Sequence, residues 1–439
     1  MTKPIAGFSK RSKEEKIDWV SRHFTQDTPA TRSLLTQYWN ADEDLQKLHD
    51  EFIENTLSNF YLPLGVAPNF LINDKLYVIP MAIEESSVVA AAAKAAKFWG
   101  SRGGFKTTVL GTEKIGQVHF FYQGEPEKLK AFFKELLPLL KKDCAALTAN
   151  MEKRGGGISH IELRDKTQAL ENYYQLHATF ETANAMGANF INSCLEQFAT
   201  SLKREAALYK PFNEQENSIE VVMSILSNYV PECLAKASVS CPVSDLEGIE
   251  GATGADFAKK MVQAVAIAKV APHRAVTHNK GIMNGIDAVV IATGNDFRAV
   301  EAGVHAYAAK EGSYSSLTHA SVENGVFSFW IEVPLALGTV GGLTNIHPLV
   351  KWSLEVLQKP SAKELMEVVA VAGLAQNFAA LHSLVTSGIQ KGHMKMHLMN
   401  ILNQLGATSE EKAQLTDFFK QQTATHANVV AALNKLRGQ

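Results

Sequence analysis

Cysteine is scarce in this chain. Only four of 439 residues are Cys (Cys144, Cys194, Cys233 and Cys241), and no two form a C-x-x-C pair, which excludes a disulfide scaffold and a zinc ribbon. An excess of one charge is missing too. Forty-three basic residues face 45 acidic ones, for a net charge of -2, so there is no broad electrostatic footprint for nucleic acid. The N-terminal stretch MTKPIAGFSKRSKEEK is charged where a secretory signal needs an apolar core. Apolar runs such as 88–93 and 286–293 are too short to cross roughly 30 Å of hydrocarbon. These absences predict a soluble, cytoplasmic protein with no membrane segment. No Gly-x-Gly-x-x-Gly follows a predicted strand, so the usual dinucleotide fingerprint is lacking; internal repeats and low-complexity tracts are lacking as well. The composition, 46% apolar and 20% charged, is that of an ordinary globular protein, and the length suggests two or three domains of roughly 150 residues.

Periodicity predicts an α+β protein. Residues 1–60 read as polar, amphipathic helices, followed by a strand pair near 70–72 and 76–79 and an alanine-rich central helix over 87–98. A strand at 116–122, a helix from Pro126 with an apolar stripe through Leu129, Phe132, Leu136, Leu140 and Cys144, strands near 158–165 and 173–181, a helix over 184–207 and a strand at 219–223 then follow. That order is the ferredoxin-like βαββαβ unit. It is expected as an insertion, 111–221, within a large mixed domain made of 1–110 and 222–385. Residues 386–439 form a separate small helical unit, with Gly388 and Gly392 as hinges and Thr408 opening a capping box with Glu411.

Several clusters carry chemistry, each with a plain structural reading beside it. Glu84-Glu85 precede the alanine-rich helix and read first as capping carboxylates, with a buried general acid as the alternative. The triple glycine Gly155-Gly156-Gly157 fits a tight turn as well as close approach to a flat or phosphorylated ligand. Thr277-His-Asn-Lys-Gly281 and Ala292-Thr-Gly-Asn-Asp296 flank a predicted strand, 286–291. If the chain folds back there, Lys280 and Asp296 converge on an oxyanion-stabilising site; otherwise they form a surface ion pair. Arg274 and Asn284 add polarity to the same region. His393 and His397 have metal-pair spacing but no Glu partner and no third ligand, so a single proton-donating His fits better.

Taken in order, the motifs Glu54-Asn55, Leu62-Pro-Leu-Gly65, Glu84-Glu-Ser-Ser-Val-Val-Ala90, Lys153-Arg-Gly-Gly-Gly157, Ala185-Met-Gly-Ala-Asn189, Ile225-Leu-Ser-Asn228, Thr277-His-Asn-Lys-Gly281, Gly294-Asn-Asp296, Gly338-Thr-Val-Gly-Gly342, Gln376-Asn377 and Gly392-His-Met394 resemble those of the class II (bacterial-type) 3-hydroxy-3-methylglutaryl-CoA reductases over nearly the whole chain. The resemblance implies an oxidoreductase of the mevalonate pathway, in isoprenoid biosynthesis, that reduces a thioester to mevalonate and free CoA with two hydrides. It assigns catalytic roles to Lys280 (oxyanion), Glu85 (proton donor), Asp296 (placed between them) and His393 (acid for the CoA thiolate). Ser87, Arg274, Asn284 and Asn377 would hold the acyl group in the large domain. Gly155, Gly156, Gly157, Met186, Gly187, Asn189 and Asn228 would lie by the nicotinamide cofactor. It further implies a homodimer with the site at the subunit interface and a C-terminal flap that excludes water.

Two departures bear on the cofactor. Asn184 stands where the family has an acidic residue, which leaves the cofactor contact at that position open. Ile158-Ser159-His160 supply no carboxylate for a ribose 2′-hydroxyl, while Arg154 is nearby. That favours NADPH, with NADH as the alternative. Met399 takes the place of the regulatory serine of the eukaryotic class, so no such phosphorylation switch is expected. The competing readings are an NADH-linked enzyme running toward mevalonate oxidation and a CoA-ester-binding relative without chemistry. No metal is expected.

Overall fold

The computed structural model describes residues 4–386, 398–419, 422 and 424–438. The chain divides into two compact units, Met1–Pro63 and Leu64–Gln439. The first holds three short helices, α1 (Lys13–Phe24), α2 (Thr28–Gln37) and α3 (Glu43–Asp50). Each starts where a side chain satisfies an otherwise unpaired amide: Ser12 in a capping box with Glu15, then Asp27 and Asp42. The amphipathic pattern predicts helices over residues 1–60, but α3 stops at Asp50; Asn55, with a φ of 58°, lies in the left-handed region beyond it.

The second unit opens with a hairpin, β1 (Leu64–Ile72) and β2 (Lys75–Ala82), and then α4 (Val88–Gly100). Strand β3 (Lys106–Val109) leads into the insertion: β4 (Lys114–Phe121), α5 (Pro126–Glu152), β5 (Gly157–Asp165), β6 (Tyr173–Glu181), α6 (Ala188–Leu208) and β7 (Glu220–Ser227). Its sheet has the order β5-β6-β4-β7, antiparallel throughout, which is the ferredoxin-like arrangement. Alternation accounts for the packing. Val118 and Phe120 of β4 and Leu176, Ala178 and Phe180 of β6 face the stripe Leu129, Phe132, Leu136, Leu140 and Cys144 of α5, and all are buried.

The chain returns through β8 (Leu234–Pro242), α7 (Gly254–Val270), α8 (Pro272–Ala292), α9 (Phe297–Ala308), β9 (Thr318–Glu323), β10 (Val326–Pro334), α10 (Pro348–Val356) and α11 (Ala362–Val385). The second sheet has the order β3-β8-β10-β9. Phe327, Phe329, Ile331 and Val333 of β10 and Ala235, Ala237 and Val239 of β8 turn inward on alternate positions and are buried. Two expectations are corrected here. The run 286–291 is not a strand but the second half of α8, a continuous helix of 21 residues. The helix at the centre of the core is α11 rather than the alanine-rich α4, since 16 of its 24 residues are buried. Helix α11 is long and apolar enough to cross a membrane, yet 72% of its most apolar stretch is buried inside the protein, as befits a core helix. It lies close to α8. A Cβ on Gly285 would come within 2.4 Å of the Ala372 carbonyl oxygen.

Beyond α11, helices Ser409–Phe418 and His426–Leu436 share a small core of Leu398, Leu402, Leu415, Val429 and Leu433. The capping box expected at Thr408 and Glu411 is formed with both of its hydrogen bonds.

Candidate active site

Two cavities concentrate the polar residues singled out by the sequence. The first, of about 420 Å³, is lined by Glu85, Ser87, Lys94, Arg274, His278, Lys280, Asn284, Gln376 and Asn377. Helix α8 supplies Arg274, Lys280 and Asn284, whose spacing sets them along one side of the helix. Helix α11 supplies Gln376 and Asn377, and the turn before α4 supplies Glu85 and Ser87.

Lys280 donates through Nζ to Oε2 of Glu85 at 2.7 Å. Glu85 therefore does not cap α4. The N-cap is Ser87, which adopts a φ of 78° and makes no side-chain capping bond, so its hydroxyl is left to the cavity. A non-glycine residue held in that region is the kind of strain that collects at functional sites. Arg274 has no hydrogen-bond or ion-pair partner among the described residues, and burial pulls its pKa down. An unpaired, partly desolvated guanidinium calls for an anion. Asn377 is fully buried. Its Oδ1 accepts from Thr318 and its Nδ2 donates to the His278 carbonyl.

Within one chain Asp296 does not join this pair. Lys280 sits twelve residues before the end of α8, which places roughly 18 Å of helix between it and the turn that carries Asp296. The fold-back considered from the sequence is absent because the intervening residues are helical. Asp296 instead caps α9, accepting from the Arg298 and Ala299 amides, and pairs with the Arg298 side chain at 2.9 Å. Burial would raise its pKa, but these hydrogen bonds outweigh burial and hold the carboxyl below its ordinary value.

Asp296 belongs to the second cavity, of about 380 Å³, with Met151, Met186, Gly187, Asn189, Gly338, Gly341 and Gly342. Gly187 has a φ of 88°, and a Cβ there would meet Thr182 at 2.3 Å. It turns the chain into α6, whose first amides border the cavity, and a helix N-terminus of this kind favours phosphate. The remaining cofactor candidates lie elsewhere. Gly155, Gly156 and Gly157 form the α5–β5 turn, where Gly156 packs on the Glu181 carbonyl and Met151; none of the three lines either cavity. Asn228 lies at the end of β7 beside Gly303, in a separate small apolar recess that Met186 also lines. His393, His397, Gly388 and Gly392 lie outside the described residues. Among the described residues no group of three metal-ligating side chains occurs.

Residues 12–398 match the family described as hydroxymethylglutaryl-coenzyme A reductase. The chain belongs to the hydroxymethylglutaryl-CoA reductase family. A 3-hydroxy-3-methylglutaryl-coenzyme A reductase of Archaeoglobus fulgidus is 40% identical over 415 residues, covering 94% of this chain and 89% of that one. A probable reductase of Borreliella burgdorferi is 36% identical over 87% of this chain and 83% of its own. Among solved structures, the reductase of Streptococcus pneumoniae superimposes with a TM-score of 0.71 at 33% identity, covering 99% of this chain and 100% of that chain. The class II enzyme of the same organism, bound to NADPH in open conformations, also gives 0.71, over 87% of this chain and 100% of that chain.

In this member of the reductase family, sequence reasoning missed Lys94, His278 and Gln376 as cavity residues. The spacing of Lys94 on α4 relative to Ser87 places both on one side of the helix and could have revealed it; the other two sit within the motifs Thr277-His-Asn-Lys-Gly281 and Gln376-Asn377, beside the residues that were singled out. Asn184, the departure from the family pattern, is turned away from chemistry. Its Oδ1 accepts from the Ala362 amide at the start of α11, and its carbonyl accepts from Thr339.

Proposed function

We propose that the chain reduces 3-hydroxy-3-methylglutaryl-CoA to mevalonate and CoA at the expense of two NADPH, as a cytoplasmic homodimer. The observation that carries this reading is the Lys280–Glu85 pair at 2.7 Å in a cavity whose wall also holds the unpaired Arg274. An anionic acyl group is anchored at one end and an ammonium waits at the other.

Arg274 takes the substrate carboxylate in a charge-assisted pair, with Ser87, Asn284 and Asn377 holding the hydroxyl and acyl oxygens. Lys280 donates to the thioester oxygen and stabilises the alkoxide that forms when hydride reaches the carbon. Collapse of that alkoxide breaks the C–S bond, and the departing thiolate is protonated by His393, the role its family motif implies. Lys280 then stabilises the second alkoxide, formed from the aldehyde, and Glu85 supplies the proton that completes the alcohol.

The second cavity suits the cofactor. The amides at the start of α6 and the glycines at 341–342 offer backbone donors to a diphosphate, Arg154 and the lack of a carboxylate at 158–160 favour a 2′-phosphate, and NADPH, when bound, supplies one hydride per reduction step. Each chain thus holds an acyl cavity with Glu85 and Lys280, and a cofactor cavity with Asp296. A complete site arises when a second copy sets its Asp296 cavity against the first copy's Lys280.

The test is turnover by the purified chain. Two NADPH oxidised per mevalonate and CoA formed is the expected result, with kcat/KM higher for NADPH than for NADH. Tight thioester binding without cofactor oxidation would establish a binding protein instead.

A further inference from the structure

Behind the acyl cavity, Asn377 belongs to a buried polar ring whose other members, His278 and Thr318, have no part in the reaction steps above. His278, on the turn of α8 that carries Lys280, is 1% exposed, and Asn377 is equally buried. Between them stands Thr318, the first residue of β9, fully buried. The Nε2 of His278 lies 2.6 Å from Thr318 Oγ1, which donates to Asn377 Oδ1 at 3.0 Å. Asn377 Nδ2 returns a bond to the His278 carbonyl at 3.2 Å.

Donor and acceptor rules fix the direction of every bond in this ring. A carbonyl only accepts, so the Asn377 group facing His278 O is the amide nitrogen, and Oδ1 is the atom facing Thr318. Oδ1 also only accepts, so the Thr318 proton is committed to it. His278 Nε2 must then carry hydrogen and donate to Thr318. Nδ1 is left without hydrogen and without a partner. The neighbouring Asn279 braces the same segment, donating to the Ser315 carbonyl and accepting from the Leu317 amide. Once the ring is closed, the Asn377 amide cannot exchange its nitrogen and oxygen, and one N–H remains uncommitted on a residue that lines the acyl cavity.

We propose that His278 and Thr318 are positioning residues that lock the Asn377 carboxamide with its free N–H available to an oxygen of the acyl-CoA substrate. The inference rests on the function proposed above. Fixing a donor that serves ground state and transition state alike lowers KM for the acyl substrate and leaves the cofactor untouched.

Thr318→Val keeps the shape of the side chain and removes its hydroxyl; Thr318→Ser keeps the hydroxyl. Steady-state kinetics on the full-length protein should show KM for 3-hydroxy-3-methylglutaryl-CoA raised about tenfold in Thr318→Val, the loss of one bond to a substrate oxygen, with KM for NADPH within about twofold of wild type. Thr318→Ser should restore the acyl KM. If Thr318→Val does not fold, His278→Phe, which removes the Nε2 donor at similar ring volume, carries the same test with the same expected split. An unchanged acyl KM, equal rises for both substrates, or no rescue by Ser would overturn the proposal. The unmodified chain is assayed in parallel. Its inactivity would defeat the reading of function, whereas an active chain indifferent to Thr318→Val defeats only the lock.

Discussion

Lys280 and Glu85 are separated by 195 residues in the chain yet meet at 2.7 Å, and the reason is local at each end. The turn before α4 puts Ser87 into the left-handed region, so the helix is not capped by the carboxylates before it, and Glu85 is free to pair across the cavity. From the residues alone Glu84-Glu85 read first as caps, because nothing in a short motif reports which way its backbone turns; only the ordered set of motifs pointed to the pairing. His278 was illegible for a different reason, since its role depends on Thr318 and Asn377, 40 and 99 residues away. Its titration gives a prediction at this scale. Burial and the charge of Arg274 push the His278 pKa down to about 3, against 6.5 in an unfolded chain. The unfolded state then binds more protons between those values. The stability from keeping His278 neutral is therefore present above pH 6.5 and is lost as the pH falls toward 3. Denaturation midpoints between pH 7 and pH 4 should fall less in His278→Phe than in wild type. Parallel slopes would remove the assignment.

At the scale of elements, the insertion was readable because its strands alternate and its helices carry clean apolar stripes, so each element announces its own period. Helix α8 was not. Its run at 286–291, isoleucine, valine and alanine apart from Asp287, is short and mostly apolar, which periodicity cannot separate from a buried strand, and it is helical because it packs lengthwise on α11. Helix α11 shows the same difficulty in the extreme: buried on nearly all sides, it has no polar face to betray its period. The two helices approach closely at Gly285, and that contact sets the sign of a prediction. Helix propensity alone would make Gly285→Ala stabilising by up to about 1 kcal/mol. The new Cβ, 2.4 Å from the Ala372 carbonyl oxygen, must instead push α8 from α11, and overpacking of this kind costs about 1–3 kcal/mol. A lower melting temperature and a raised acyl-CoA KM are expected, because the face carrying Lys280 and Asn284 shifts with the helix. A higher melting temperature would show that the interface is looser than described.

For the molecule as a whole, the decisive feature is that α8 runs unbroken between the two chemical centres. It holds Lys280 in the first cavity and delivers the chain to Asp296 at the second, with roughly 18 Å of helix between. Under the proposed function one copy carries two half-sites, and closed twofold symmetry would let a second copy complete both. The most direct test of this account is complementation between inactive variants. Lys280→Ala and Asp296→Asn are each expected to be inactive alone. Unfolded and refolded together, they should recover about a quarter of wild-type activity, because half of randomly paired dimers are mixed and each mixed dimer holds one intact site of two. No recovery from the mixture, with mixed dimers shown to form, would mean that Lys280 and Asp296 act within a single chain, and would contradict the shared site.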